Sequence, residues 1–172
     1  MNMAKNLHFH FKKIYKLHIE KIYRFIYIKV NSQQIAEDLT SEVFLRFWKA
    51  LQKENPSKIE NPKAFLYKTA RNLIIDHYRT YSQKKEIPIE EVKEIKDTSQ
   101  SLETQESLSS DLEIVQKAIR QLKEEYQDVV LWYYLDNLSV QEIAEILGKS
   151  ENAVRVMIHR AMEKLRELLK EV

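Results

Sequence analysis

The chain has 172 residues, with 28 Lys and Arg against 26 Asp and Glu and no cysteine, which excludes a disulfide framework and a thiolate metal site. One glycine and three prolines starve a sheet of its turn residues, so the expected fold class is all-α, as one ordinary domain or two small ones. No apolar run approaches the roughly 18 residues that span a bilayer, and MNMAKNLHFHFKK lacks the apolar core of a secretory signal, so the expected location is the cytoplasm.

The net charge of +2 hides a division along the chain. Residues 1–82 carry 15 basic against 7 acidic side chains, residues 83–110 carry 4 against 7, and residues 111–172 carry 9 against 12. Apolar residues recur at helical period over about Phe9–Lys29, Ser32–Lys53 and Pro62–Tyr81. Asn61-Pro62 is a good start signal, a capping residue before a proline at the first helical position. The polar loop KENPSKIEN precedes it.

Next comes QKKEIPIEEVKEIKDTSQSLETQESLSS, which has few large apolar residues after Ile95 and cannot bury enough to offset its ordering entropy. It reads as a flexible polar linker, residues 83–110, with room for a short helix at Glu90–Ile95. Further helices are expected at Asp111–Lys123, Glu125–Tyr134, Ser139–Leu147 and Glu151–Leu169. The organisation is two small helical domains, 1–82 and 111–172, the second of them helix-turn-helix.

That last assignment rests on SVQEIAEILGKSENAVRVMIHRAMEKL. Ser139 and Glu142 form a capping box, Ile143, Ala144, Ile146 and Leu147 make an apolar face, and Gly148, the only glycine, supplies a left-handed helix end. Ser150 caps the helix that follows. On a wheel of that helix Val154, Ile158, Ala161, Leu165, Leu168 and Leu169 form the core side. The opposite arc holds Arg155, Val156, His159, Arg160, Glu163 and Arg166. Arg155, Arg160 and His159 suit guanine or phosphate, Val156 a thymine methyl, and Lys164 a phosphate further along. A solvated face with one stray valine is the plainer alternative. Residues 111–148 count 3 basic against 8 acidic, whereas 149–172 count 6 against 4, so the basic charge of this domain gathers at its recognition end.

The helix from Pro62 gives a second wheel, with Leu66, Ala70, Leu73 and Ile74 as its buried stripe. Lys68, Asn72, Asp76 and Arg79 lie across from them, with Phe65 and Ile75 interleaved. Basic residues beside an exposed aromatic suit unpaired bases, while a contact with a neighbouring helix is the other reading of Phe65.

QQIAEDLTSEVFLRFWKAL followed by NPKAFLYKTARNLIIDHYR closely resembles the second conserved region of bacterial sigma factors. LKEEYQDVVLWYYLDNLSVQEIAEILGKSENAVRVMIHRAMEKLRELL resembles their fourth region. The order, with a polar linker between, is that of the small extracytoplasmic-function (ECF) group. The resemblance implies a subunit that binds core RNA polymerase, reads two promoter elements and performs no covalent chemistry. It implies polymerase docking by Asp38, Ser41 and Glu42, one helix face at i, i+3 and i+4, on the clamp coiled coil of the largest subunit. Ser41 departs from the glutamine usual there. It implies minus-ten recognition by Phe65, Lys68, Asn72 and Arg79, with Phe65 and Leu66 where primary members carry a tryptophan wedge. It implies minus-thirty-five recognition by Arg155, Val156, His159, Arg160 and Lys164. An anti-sigma factor is the further partner it allows; no cofactor, metal or membrane insertion is expected.

The remaining features read more plainly. His8-Phe9-His10 is a lone HxH without a carboxylate, read as surface. Trp132-Tyr133-Tyr134 is read as core of the second domain, and Asp76-His77 resembles a catalytic pair in composition alone. Two rival functions stand beside the sigma reading: a stand-alone helix-turn-helix regulator, and a helical nucleic-acid enzyme, which needs a carboxylate cluster.

Overall fold

The structure, a computed structural model, describes residues 2–53, 59–85 and 110–170. Among them every regular element is helical: α1 Asn2–Val30, α2 Gln33–Lys53, α3 Pro62–Lys85, α4 Ser110–Gln121, α5 Glu124–Val130, α6 Val140–Leu147 and α7 Glu151–Lys170. A π-helical turn, Leu131–Leu135, continues α5. The chain divides into two compact units, Met1–Ser101 and Leu102–Val172. The short helix expected at Glu90–Ile95 and most of the expected linker fall outside the described residues.

In the first unit α1, α2 and α3 pack on one another. Ile22, Phe25 and Ile26 of α1, Val43 and Phe47 of α2, and Leu66, Tyr67 and Ile74 of α3 are all sealed in this core. The expected α3 stripe of Leu66, Ala70, Leu73 and Ile74 is buried, joined by Ala64, Tyr67 and Tyr78. The Tyr78 hydroxyl donates to the Lys29 carbonyl at 2.7 Å, which satisfies a buried phenol and ties α3 to the end of α1.

Local chemistry sets the helix ends. Asn31 takes a left-handed φ of 49° and its amide donates to the Tyr27 carbonyl at 2.8 Å, stopping α1 as a left-handed cap does. Asn61 Oδ1 accepts from the Ala64 amide at 3.0 Å, so the expected Asn-Pro start is used. α1 begins at Asn2, well before Phe9, and His8 already meets Trp48 of α2. Phe11 lies 5.1 Å from Trp48 and 6.0 Å from Phe47, centroid to centroid. Tyr23 is half-buried, and burial first, then the Glu37 carboxylate, hold its hydroxyl above the ordinary range.

The second unit is built around Trp132, Val129, Leu138, Ile143, Val154 and Ala161, all buried. The buried Gln127 amide donates to the Arg120 and Leu122 carbonyls at 2.9 and 2.8 Å, closing the end of α4. Here one expectation is corrected. Trp132 is fully buried, but Tyr133 and Tyr134 are 37% and 52% exposed. They stand on the π turn, where the Asp136 amide donates to the Leu131 carbonyl at 3.0 Å, five residues back, and the side chains depart from the 3.6-residue period. Asn137, at φ 55°, then ends the segment.

Candidate nucleic-acid interface and docking face

The helix-turn-helix is assembled by the residues that announce it. Ser139 Oγ accepts from the Glu142 amide at 3.1 Å and Glu142 Oε2 accepts from the Ser139 amide at 2.8 Å, a complete capping box. Gly148 stands at φ 63°, ψ 35°, and the Lys149 amide reaches the Ala144 carbonyl at 3.0 Å. Ser150 Oγ accepts from Ala153 at 3.2 Å and starts α7.

On α7, Val154, Ile158, Ala161 and Leu165 are buried, while Leu168 and Leu169 are half-buried. Arg155, Val156, His159, Arg160 and Lys164 are all exposed, Val156 at 48%. The polar side chains of this arc divide into two kinds. Arg155 donates to Glu151 at 2.9 Å and to Asn152 at 3.1 Å, Lys164 pairs with Glu167 at 2.9 Å, and His159 Nε2 lies 3.6 Å from Glu163. Arg160 and Arg166 make no ion pair among the described residues. Such exposed pairs are worth only about 0.2–1 kcal/mol, so they orient the arginine without preventing its transfer to a base or phosphate.

On α3, Phe65, Lys68, Asn72, Asp76 and Arg79 fall on one stripe at spacings of three and four. Lys68, Asn72 and Arg79 are exposed. Phe65 is half-buried, its ring 5.7 Å from Phe47 and tilted by 52°, so it packs on α2 and keeps part of its surface in solvent. Leu66 is fully buried, which corrects its expected place in a melting wedge: it faces the core, one residue round the helix from Phe65.

On α2, Asp38 and Ser41 are exposed and Glu42 half-buried. Glu42 accepts from Arg46 Nε at 2.7 Å, leaving Asp38 as the carboxylate without an ion pair among the described residues. Ser41 also borders an open groove of about 460 Å³ between α1 and α2, lined by Phe11, Tyr15, Phe44, Leu45 and Trp48. This face of α2 therefore joins charge to an apolar hollow. The charge is legible in the sequence; the hollow is not, because Phe11 and Trp48 meet only in tertiary structure.

The other features are quickly placed. His8 and His10 sit two apart on α1 and diverge, and the His8 ring lies edge-on to Trp48 at 6.2 Å. Among the described residues no three His, Asp or Glu side chains group to hold a metal. No helix there is long and apolar enough to cross a membrane.

These two helical units, the second a helix-turn-helix, match the two regions of the sigma-70 class. The family Sigma-70 region 2 matches residues 14–84, and Sigma-70, region 4 matches residues 112–165. The ECF RNA polymerase sigma factor BldN of Streptomyces coelicolor is 34% identical over 92% of this chain. SigM of Bacillus subtilis, also an ECF RNA polymerase sigma factor, is 26% identical over 91% of it. This chain spans 60% of the first relative's length and 93% of the second's. In fold it matches the sigma factor RpoE, solved in complex with the anti-sigma factor NepR from Bartonella quintana, with a TM-score of 0.71 at 23% identity. That match covers 94% of this chain and 97% of that one. The chain belongs to the ECF group of RNA polymerase sigma factors.

Proposed function

We propose that this chain is a dissociable initiation subunit that binds core RNA polymerase and directs it to promoters with two recognised elements. The observation that carries this reading is that two compact units of sigma-70 type each expose cations on one helix, Lys68 and Arg79 on α3 and Arg155, Arg160 and Lys164 on α7, while α2 carries the carboxylates Asp38 and Glu42. A stand-alone regulator has no use for the α2 carboxylates.

In this reading Asp38, Ser41 and Glu42 meet basic residues of the clamp coiled coil of the largest polymerase subunit. The α1–α2 groove supplies apolar contact beside them. Phe65, Lys68, Asn72 and Arg79 hold the minus-ten element, the cations on phosphates and the exposed edge of Phe65 against an unpaired base. Arg155, Val156, His159 and Arg160 read the minus-thirty-five element in the major groove, and Lys164 holds its backbone. An anti-sigma factor is the inhibitor we infer, the class of partner bound in the RpoE structure. Polymerase and promoter place the work in the cytoplasm, and binding alone accounts for it without a catalytic group.

The test is assembly. Wild-type chain added to core polymerase yields a holoenzyme that transcribes from a defined promoter set. Asp38→Arg with Glu42→Arg lowers holoenzyme affinity at least a hundredfold, about 2.7 kcal/mol or more, with helical content unchanged. Wild-type affinity in the double variant defeats the docking assignment; promoter binding by the free chain with no affinity for polymerase favours the stand-alone regulator.

A further inference from the structure

The exposed tyrosine pair of the second unit has no place in the function so far. Tyr133 and Tyr134 stack edge to face, centroids 4.9 Å apart, at the π turn. They form one wall of an open cleft of about 360 Å³, whose other wall is α7 with Arg155, His159, Met162 and Arg166. Among the described residues no carboxylate lines it.

The chemistry of this cleft is specific. Two tyrosines, two arginines and a histidine line this space together with Val140, Ile158 and Met162. Arg166 is exposed and makes no ion pair among the described residues. Every polar group there donates hydrogen bonds and two are permanently cationic, which suits an anion with several acceptor oxygens. On the helix wheel Arg166 lies about 70° from the middle of the arc centred between Val156 and Glu163, further out than His159 or Arg160. A helix lying in a major groove turns the middle of its outer arc to base edges and its borders to the flanking phosphates.

We propose that Tyr133, Tyr134 and Arg166 form a phosphate clamp, which grips a phosphodiester of the promoter backbone beside the bases read by α7. The proposal rests on the sigma reading and deepens it. Both tyrosines of the clamp stand on the π turn. Arg155 is shared: released from Glu151, it can serve the clamp or a base. A clamp on the backbone sets register and adds affinity for every sequence alike.

The test uses reconstituted holoenzyme on promoter duplexes, held too cold for strand opening, with closed-complex affinity followed against salt. Arg166→Ala is expected to weaken every promoter alike, about five- to tenfold, and to flatten the log–log salt dependence by roughly 0.9, the loss of one phosphate contact. Tyr133→Phe with Tyr134→Phe, which keeps the rings, is expected to cost two- to fivefold with sequence preference unchanged. A single neutral methylphosphonate, placed in turn along the upstream backbone, weakens wild type at one position and leaves Arg166→Ala indifferent there. A wild-type salt slope in Arg166→Ala, or methylphosphonate losses that add to it at every position, overturns the clamp. Loss of polymerase assembly in either variant also overturns it, assigning the cleft to a protein side chain. If the wild-type chain forms no holoenzyme, the sigma reading falls and the clamp with it. Normal promoter binding with insensitive variants removes the clamp alone.

Discussion

On α3 the cations Lys68 and Arg79 stand about 16 Å apart along the axis with no ion pair among the described residues. On α7 Arg155, His159 and Lys164 each face an acid of their own helix. Both helices turn a polar arc to solvent, and α7 adds two cations, Arg160 and Arg166, that also stand without an ion pair among the described residues. A cation without a protein partner attracts phosphate or a base edge from many directions and loses little by moving with it. A paired cation is held in one rotamer, and a base must offer better geometry than a glutamate before it lets go. The pairing thus divides α7 within itself and sets Arg155 and Lys164 apart from the α3 cations.

The difference breaks most visibly if the α3 cations are removed. Lys68→Ala with Arg79→Ala is expected to reduce the salt slope of promoter binding by roughly 1.4 to 1.8, two phosphate contacts at the single- or double-strand value. Preference for upstream sequence stays unchanged, as a promoter-library selection would read. A slope that stays put means these cations do not touch the backbone.

Phe65 sharpens the same contrast, because it serves two environments. Its ring meets Phe47, so Phe65→Ala confounds packing with strand contact. Phe65→Leu keeps an apolar group against α2 and removes the aromatic face, whose contact with an unpaired base is worth about 1–3 kcal/mol. Transcription from duplex promoters is expected to fall by that amount while a pre-melted bubble is used almost normally. Equal losses on both templates assign the ring to the core.

On α7 the comparison becomes quantitative between two arginines. Arg160→Ala is expected to relax the upstream element at one base pair by about 1–3 kcal/mol. Arg155→Ala acts less strongly, because the wild-type residue must first leave Glu151. Glu151→Gln removes that competitor, so it tightens binding on all sequences and narrows the gap between the two arginine variants. Identical sequence preferences in all three variants would falsify base reading by this helix.

The parts of this protein legible from sequence are those written in local chemistry. The Ser139–Glu142 box, the Gly148 turn, the Asn61-Pro62 start and the buried stripes of α3 and α7 follow from caps and a 3.6-residue period, and each is where the residues put it. The exposed Val156 was legible for the same reason. What stayed hidden depends on partners far along the chain or on a break in that period. Phe65 on Phe47 and Phe11 on Trp48 are tertiary meetings. The exposure of Tyr133 and Tyr134 was hidden too, because aromatic character alone suggests core and the chain makes a π turn there. No propensity marks that turn; the one available signal was Arg166, placed on the outer arc with no role assigned to it.

The smallest expected effect contrasts how the two units turn their corners. The first unit leaves α1 through Asn31 at φ 49°, and the second leaves α6 through Gly148 at φ 63°. A Cβ built on Gly148 meets nothing within 4 Å, so the glycine answers a backbone conformation and not a shortage of space. Gly148→Ala is then expected to destabilise the second unit by only about 1 kcal/mol, the left-handed cost of a β-carbon. For a unit of this size that is a fall in melting temperature of roughly 4–8 °C. Gly148→Asn recovers most of it, since Asn tolerates the conformation as Asn31 does. Neither variant should change the preferred upstream sequence once the temperature is low enough to keep the unit folded. A loss of stability well beyond this means that the turn is more tightly held within the unit than its open surroundings indicate, and an altered preference at full folding means that the turn is gripped by DNA.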